Sequence, residues 1–378
     1  MNEAAVFVRT AMDPPRPAPV TTRGLVGWLR YRLFNSWLNV LLTLLSLYLL
    51  WLIVPPVVRF LVVDAVWDGA SREDCLAEKI GRPVGACWPF IAAKFRQLIY
   101  GFYPWDQQWR VNIAFALGAA LLVPLMVPRI PYKGVNAVLF FGVYPVVAFF
   151  LLVGGAFDLE YVETRSWGGL LVTLVVALTG IVVSLPLGIL LALGRRSQLP
   201  IVRSLSIIFI EFWRGVPLIT VLFFAMYMLP FFLPRTWTID GLLRALVGVA
   251  LFAAAYMAEV VRGGLQAIPR GQYEAAMALG LGYWRMMTFV ILPQALRHVI
   301  PGIVNNFLGL FQDTTRVLIV SIFDLLGQLR AAFADPNWAA PTTLFTGFAF
   351  AGLIYFFFCF GMSRYSLFVE QRLNRGRR

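Results

Sequence analysis

Charged residues within or at the edges of long apolar stretches of this sequence include Glu211, Arg214, Glu259, Asp313 and Arg316. A charge at membrane depth is costly unless it is paired or hydrated, so each is a functional candidate. Glu211 and Arg214 are three residues apart, as are Asp313 and Arg316, which places each pair on one face of a helix. Each pair is either an internal ion pair with a structural role or part of a polar route, and both alternatives remain open.

A polar route with charges of both signs suits a zwitterion. A zwitterion needs a cation for its negative group and an anion for its positive group, and such pairs provide both. We therefore predict a translocation path along these charges and their polar or proline neighbours. Its residues are Glu211, Arg214, Pro217, Glu259, Asp313, Thr314, Thr315 and Arg316.

The sequence contains little that indicates catalysis. Its one histidine, His298, lies at a loop edge, and no cluster of cysteine and histidine has metal-ligand spacing. The glycine-rich phosphate loop of ATPases is absent from the sequence. We therefore expect a chain that is not an enzyme and holds no metal or cofactor of its own.

The elements that must position these residues are membrane helices. The 378-residue chain is 60% hydrophobic and 13% charged, and a bilayer core needs about 20 apolar residues per helix. Isolated strands would leave backbone polar groups unpaired in lipid, so the predicted class is all-α. Eight spans are predicted: Ser36–Leu61, Val111–Val127, Val135–Phe157, Trp167–Leu193, Leu205–Phe232, Leu242–Val261, Ile300–Val320 and Thr342–Gly361.

The net charge of +13 is distributed as topology signals rather than as a patch for nucleic acid. Arginine and lysine concentrate before the first span and after the second, fourth, sixth and eighth, which the positive-inside rule assigns to the cytoplasm. They include Arg129, Lys133, Arg195, Arg196, Arg203, Arg262, Arg270, Arg285, Arg297 and Arg364. The opposite loops carry Asp158, Glu160, Glu163, Asp240, Asp324 and Asp335. We predict a multi-pass protein of a bacterial inner membrane, in contact with lipid, with both termini cytoplasmic.

Two segments are expected on the other side of the membrane. The long loop over residues 62–110 carries Cys75 and Cys87, which form either a disulfide in an oxidising compartment or two free thiols. The stretch Phe323–Trp338 has apolar residues at helical spacing. It predicts a short amphipathic helix on the outer surface, with Gln328 exposed either to the membrane interface or to a docking protein.

The loop over residues 262–298 has the composition of two helices joined by a turn. Pro269 and Gly271 open it, and Tyr273–Leu279 is rich in helix-forming residues. Gly280 predicts a sharp turn, and Pro293 is expected to stop the second helix. Glu274 offers a charge to a partner, while Ala275 and Ala276 would allow close approach. An interfacial helical hairpin is the alternative.

This loop resembles the EAA loop of the membrane subunits of bacterial ABC importers, a cytoplasmic helix-turn-helix that docks on a separate ATPase. A colinear series of motifs resembles the polar amino-acid permeases of the histidine/glutamine type. The series comprises Glu211–Leu218, Tyr256–Gly264, Ile268–Ala276, Leu292–Ala295 and Gln312–Thr315. The N-terminal block, with Asp74-Cys75 and Ala86-Cys87-Trp88, is similar to the M-type permease of general L-amino-acid ABC transporters.

The resemblance implies a type I importer permease. Residues 1–35 would form a cytoplasmic tail, 36–165 a three-helix extension, 166–363 a five-helix core and 364–378 a basic tail. Contact with the ATPase would fall to Gly271, Gln272, Glu274, Ala275, Ala276, Gly280 and Pro293.

The same resemblance implies several partners. An ATPase dimer would bind ATP and Mg, and a periplasmic binding protein would deliver amino acids. A second permease of the Q type would complete a heterodimer, with a homodimer as the alternative.

The sequence departs from the family at two points. Gln312 stands where the family usually has lysine, while Arg316 adds a cation one helical turn later. Val216 replaces the usual threonine. An ion-gradient-driven secondary transporter is the alternative function, although such transporters often contain internal repeats and none is evident here.

Overall fold

The structure is a computed structural model that describes residues 24–127, 129–234 and 236–374. The outer parts of the predicted tails, residues 1–23 and 375–378, lie outside the described residues. The chain forms two compact units. One extends to Ala65 and includes Pro83–Ala86, and the other comprises Val66–Arg82 and the chain from Cys87 onward. The predicted boundary between residues 165 and 166 remains a prediction.

The first unit consists mainly of the first membrane span. A short helix, Gly24–Arg32, precedes it. The span Trp37–Val63 begins at Ser36, whose hydroxyl oxygen accepts a hydrogen bond from the backbone N–H of Asn39 at 3.2 Å. Such a cap satisfies one of the free N–H groups at the start of a helix. The run of leucines that follows supplies an apolar surface on all sides of the helix.

The second unit contains the remaining spans. Its continuous ones are Trp105–Met126, Lys133–Val153, Gly169–Arg195, Gly241–Gln266, Tyr283–Val320 and Thr343–Arg372, here called the second, third, fourth, sixth, seventh and eighth spans. Seven helices of the described chain are long and apolar enough to cross a membrane, and a bent pair of helices brings the count to eight. The predicted all-helical class and number of spans are confirmed. The last helix continues to Asn374, so the described part of the predicted C-terminal tail is helical.

The bent pair is the fifth span, so the prediction of one continuous helix over Leu205–Phe232 is wrong. Pro200–Gly215 and Leu218–Phe232 meet at 104°. Val216 is extended, with φ −105° and ψ 132°, because the ring of Pro217 excludes the helical conformation from the preceding residue. Pro217 also lacks the N–H that would continue the helix.

The fourth and sixth spans form the closest helix pair of the second unit. Small residues make this possible, because they let two backbones approach in the membrane. A Cβ atom at Gly188 would lie 2.7 Å from Cγ of Met257. The sixth span also carries the buried Ala254, Ala255 and Ala258, and the same Cβ atom would lie 3.1 Å from the backbone nitrogen of Ala258. This pair provides the frame on which the other spans of the unit pack.

Two further helices cover the end of the unit at which the fourth span begins. They are the first cap helix, Trp88–Tyr100, and the second cap helix, Leu325–Phe333. The expectation that Gln328 is exposed is wrong, since it is only 1% exposed and its side-chain oxygen accepts a hydrogen bond from Gln97 at 3.1 Å. The second cap helix is therefore packed against other helices and does not lie freely on a surface.

Two carboxylates hold the second cap helix in place. Asp324 was expected in a loop but is fully buried, where it caps the helix through the N–H of Gly327 and accepts a hydrogen bond from the Tyr355 hydroxyl. Burial raises the pKa of Asp324 despite these hydrogen bonds. At the other end Lys94, on the first cap helix, pairs with Asp335 and lowers its pKa.

The start of the fourth span touches the first cap helix backbone to backbone. Gly169 has φ +64°, and a Cβ atom there would lie 2.1 Å from the carbonyl oxygen of Leu98. Only glycine meets both requirements, because it has no Cβ and adopts positive φ freely. The cap is thereby fixed to the fourth span.

We expect Gly169→Ala to lower the midpoint of thermal unfolding in detergent by several degrees, because the added methyl group meets a backbone atom at a strained φ. The measurement is size-exclusion chromatography after heating. Gly352→Ala is the matched control, since a Cβ atom at Gly352 meets nothing within 4 Å. Equal midpoints for the two variants would contradict this description of the junction.

Candidate coupling loop and charge cluster

The EAA helix, Arg270–Ala278, lies just after the sixth span and presents different faces inward and outward. Ala276 is buried in an apolar cluster formed with the fourth, sixth and seventh spans. The expectation that Ala276 offers a surface to a partner is therefore wrong, while its neighbour Ala275 is exposed. Successive residues of a helix point about 100° apart, so only one of two adjacent alanines can face outward.

The turn after the EAA helix is built on a glycine. Gly280 has φ +72°, and its N–H donates to the carbonyl of Met277 at 2.9 Å. A Cβ atom at Gly280 would meet nothing within 4 Å. The requirement for glycine is therefore conformational and not steric.

Pro293 does not stop the helix that follows this turn, so that prediction is wrong. The helix from Tyr283 to Val320 runs through it. The reason is a π-helical turn over Met287–Ile291, after which the N–H of Leu292 donates to the carbonyl of Met287, five residues earlier. The wider turn accommodates a residue that lacks an N–H and whose ring needs space.

The outward surface of the loop is both acidic and apolar. Glu274 is exposed and has no ion-pair partner among the described residues. In the same loop, Met277, Leu279 and Trp284 are also exposed, and Leu279 reaches 80%. The predicted loop residues Gly271 and Gln272 are exposed as well. These apolar residues were not predicted as contact residues, although large apolar side chains beside a turn in a polar loop are a readable signal of a protein contact.

A cluster of five charged side chains joins three helices close to the EAA helix. Glu259, on the sixth span, is 16% exposed at its side chain and lies at the centre. Its carboxylate accepts hydrogen bonds from Arg195 at 2.9 Å and from Arg262 at 2.6 Å, while Arg214 lies 3.8 Å away. Arg195 also donates to Glu211 at 2.8 Å. The cluster carries three positive and two negative charges, and Arg214 is its most loosely held cation.

This arrangement decides between the alternatives for the first predicted pair. Glu211 and Arg214 do not pair with each other. Each instead reaches across to another helix, Glu211 to Arg195 and Arg214 to Glu259. Arg195 and Arg262 were interpreted only as topology signals, and their pairing was missed. The spacing of Arg262 from Glu259, three residues along one helix, was the available signal.

The second predicted pair is an internal ion pair further along the seventh span. Arg316 lies 2.9 Å from Asp313. Thr314 and Thr315 hydrogen-bond to carbonyl groups of the preceding turn. Gly302, which packs against Val260 next to Glu259, is eleven residues before Asp313, or about 16 Å along the helix. The structure therefore does not bring all predicted path residues together.

The remaining candidate, Pro217, lies at the break of the fifth span, three residues after Arg214. The charge cluster and the break are therefore neighbours along the chain. No group of three or more histidine, cysteine, aspartate and glutamate side chains that could hold a metal ion occurs among the described residues.

Cys75 and Cys87 form a disulfide in the structure, with Cα atoms 5.7 Å apart. Both residues are buried, and the backbone N–H of Cys87 donates to the hydroxyl of Thr346 on the eighth span at 2.9 Å. The bond thus lies against the helices of the cap end. Cys359 is a free, partly exposed cysteine.

Comparison with known proteins gives matches along the whole chain. Residues 184–375 match the family described as binding-protein-dependent transport system inner membrane component. The chain is 51% identical over 364 residues to the inner membrane amino-acid ABC transporter permease protein YhdY of Escherichia coli, covering 96% of this chain and 97% of that protein. The matched family region includes the EAA helix and all five residues of the charge cluster.

Two further relatives differ in how much of the chain they match. The glutamate/glutamine/aspartate/asparagine transport system permease protein BztC of Rhodobacter capsulatus is 41% identical, covering 98% of this chain and 99% of that protein. The probable glutamine ABC transporter permease protein GlnP of Bacillus subtilis is 30% identical and is covered to 97% by only 58% of this chain. GlnP therefore aligns almost in full with little more than half of this chain.

We expect Cys75 and Cys87 to be joined in protein taken from cell membranes, because their sulfur atoms are in bonding position and sealed from solvent. Alkylation of unreduced protein followed by peptide mass mapping measures this. Cys359 is the internal control and should be alkylated without reduction. Recovery of Cys75 and Cys87 as alkylated thiols from oxidised membranes would reject the bond.

Proposed function

The chain belongs to the family of binding-protein-dependent transport system inner membrane components, and on that premise we propose how it works as the permease of an amino-acid ABC importer. Permeases of this class carry substrate through the membrane, and a separate ATPase supplies the energy. The chain itself is a transport subunit and not an enzyme. Membership in this family favours the ABC importer over the secondary transporter that the sequence left as an alternative.

The observation that carries the proposal is the EAA helix, held from inside and free outside. Ala276 fixes the helix to three membrane spans, while Glu274, Leu279 and Trp284 stay exposed. A charged residue among exposed apolar side chains is the composition of a protein contact. We propose that an ATPase subunit, which binds ATP and Mg, docks on this surface.

The charge cluster and the Asp313–Arg316 pair are the proposed polar stations of the route. Arg214 lies 3.8 Å from Glu259, a longer contact than those of the other two arginines, and is therefore available to a substrate carboxylate. Glu211 is half exposed and has one cation partner, so it is available to an ammonium group. The two stations lie at different depths, as expected for a path that a substrate passes through in steps.

The remaining partners follow from the mode of transport. A binding protein would deliver amino acids to the end covered by the cap helices, which is opposite the EAA helix. A second permease, of the Q type, would complete the membrane part as a heterodimer. The relatives' names include glutamate, glutamine, aspartate and asparagine, so we propose polar L-amino acids as the substrate class.

The proposed orientation places both termini and the EAA helix on the cytoplasmic side of a bacterial inner membrane. Reporter fusions at residue 378 and within residues 77–86 should therefore report opposite sides. The physical reason is the concentration of arginine at one set of loops. If the reporters at both positions fold and fluoresce as they do in the cytoplasm, the proposed orientation is wrong.

The docking surface is tested by changing its charge and its turn. Glu274→Lys should reverse the contact charge, and Gly280→Val should strain the turn, because positive φ is strongly unfavourable for a β-branched residue. Both should abolish most uptake and reduce the amount of ATPase that co-purifies, at equal amounts of permease. Neither residue lies within a membrane span, so insertion should not change.

Gly280→Asn is the matched control, since asparagine tolerates positive φ and the site has room for a side chain. This variant should keep both uptake and ATPase retention. Normal uptake and retention in Glu274→Lys and Gly280→Val would refute the docking assignment. Equal loss in Gly280→Asn would show that the site needs empty space and not a conformation.

A further inference from the structure

The charge cluster is connected to the EAA helix by a second set of contacts. Arg196, next to Arg195 at the end of the fourth span, donates to the hydroxyl oxygen of Tyr273 at 3.0 Å and to the carbonyl of Leu265 at 3.0 Å. Its guanidinium also lies 5.5 Å from the centre of the Tyr273 ring. Tyr273 belongs to the EAA helix, so two adjacent arginines contact the loop on one side and Glu259 on the other.

On its far side the cluster reaches the broken span. Arg214 and Glu211 are in the last turns of the helix Pro200–Gly215, immediately before the break at Val216 and Pro217. Glu259 is thus a carboxylate shared by cations from three helices: Arg195 from the fourth span, Arg214 from the fifth and Arg262 from the sixth. Movement of any of these helices alters the charge balance at Glu259.

We infer that Glu259 is a positioning residue that couples the EAA helix to the broken fifth span. This inference rests on the proposed docking of an ATPase. When that partner displaces the EAA helix, Tyr273 moves Arg196, and the rigid end of the fourth span moves Arg195 with it. Since a mostly buried carboxylate is stable as a charge only while it stays paired, Glu259 and Arg214 follow, and the angle at the break before Pro217 changes.

A charge cluster is suited to this task because it can exchange partners. Glu259 has three cations within 4.0 Å, so one contact can lengthen while another shortens and the carboxylate remains paired. The Asp313–Arg316 pair lies within a single helix and connects no second element. This pair also joins a carboxylate to a guanidinium group, but both residues belong to the seventh span, so the pair does not link two helices.

The inference is tested in the assembled transporter, reconstituted in nanodiscs with its ATPase and binding protein. Glu259→Gln keeps the shape of the side chain and removes its charge. We expect normal ATPase retention together with a loss, by about tenfold, of the stimulation of ATP hydrolysis by loaded binding protein. A merely structural role would reduce assembly and leave the stimulation of the assembled fraction intact.

Two more variants make the test independent of that single substitution. Tyr273→Phe removes the hydroxyl contact with Arg196, together with a longer hydrogen bond to the carbonyl of Leu265 at 3.4 Å, and should reduce stimulation in the same direction. Combined with Glu259→Gln it should add nothing further, because both interrupt one route. Arg195→Gln leaves Arg262 and Arg214 to neutralise Glu259, so it should assemble even if Glu259→Gln does not, and should also lose stimulation.

Glu370→Gln is the control, since Glu370 is a partly buried carboxylate on the last helix outside the cluster, and it should keep full stimulation. Wild-type stimulation in assembled Glu259→Gln or Arg195→Gln would overturn the inference. So would independent, multiplying effects of Tyr273→Phe and Glu259→Gln. Failure of an ATPase to co-purify with the wild-type chain would instead overturn the proposed function.

Discussion

The close contact between the fourth and sixth spans is the constraint on which the second unit depends. Lipid chains are as apolar as leucine, so helices in a membrane gain little from burying apolar surface and associate through close packing and polar contacts. Gly188 against Met257 and the row of buried alanines on the sixth span supply the packing. The polar contact is the bond from Arg195 to Glu259 at the end of the same pair. Packing and charge pairing therefore fix the two helices together along their length.

The ends of this helix pair carry different structures. At the beginning of the fourth span, Gly169 accepts the first cap helix, and Asp324 fastens the second. At its end, Arg195 and Arg196 connect the charge cluster to the EAA helix. A rigid pair between two differently built ends is what an alternating-access protein needs, because movement at one end must reach the other. The fifth span, which is bent by 104° just before Pro217, packs beside this pair.

Much of the fold could be predicted from the sequence, because the physics behind it is local. The length of apolar runs identifies spans, and the proline at residue 217 was visible, yet its effect on the fifth span was missed. A proline within a membrane helix either kinks it slightly or breaks it, and neighbouring helices decide which. Pro293 illustrates the opposite case, since a π-helical turn lets the helix continue through it. Local sequence did not distinguish these two outcomes.

The candidate site was predictable in composition but not in pairing. Glu211, Arg214 and Glu259 were recognised as charges at membrane depth, whereas Arg195 was interpreted as a topology signal only. The pairing of Arg262 with Glu259 was readable from their spacing on one helix, but the contacts of Arg195 and Arg214 depend on how helices far apart in sequence are placed. The same limit applies to Gln328. Helical periodicity predicted an exposed side chain, but packing against the first cap helix buries it.

The central claim is that the surface around Leu279 binds an ATPase. The most direct measurement is photo-crosslinking in intact membranes from a probe placed at residue 279, with a second probe at Phe102, which is exposed near the cap. We expect the probe at residue 279 to capture the ATPase subunit, identified by mass spectrometry, and the probe at residue 102 not to. Capture of only lipid or permease segments at residue 279, in membranes that contain the ATPase, would show that this surface does not bind the ATPase.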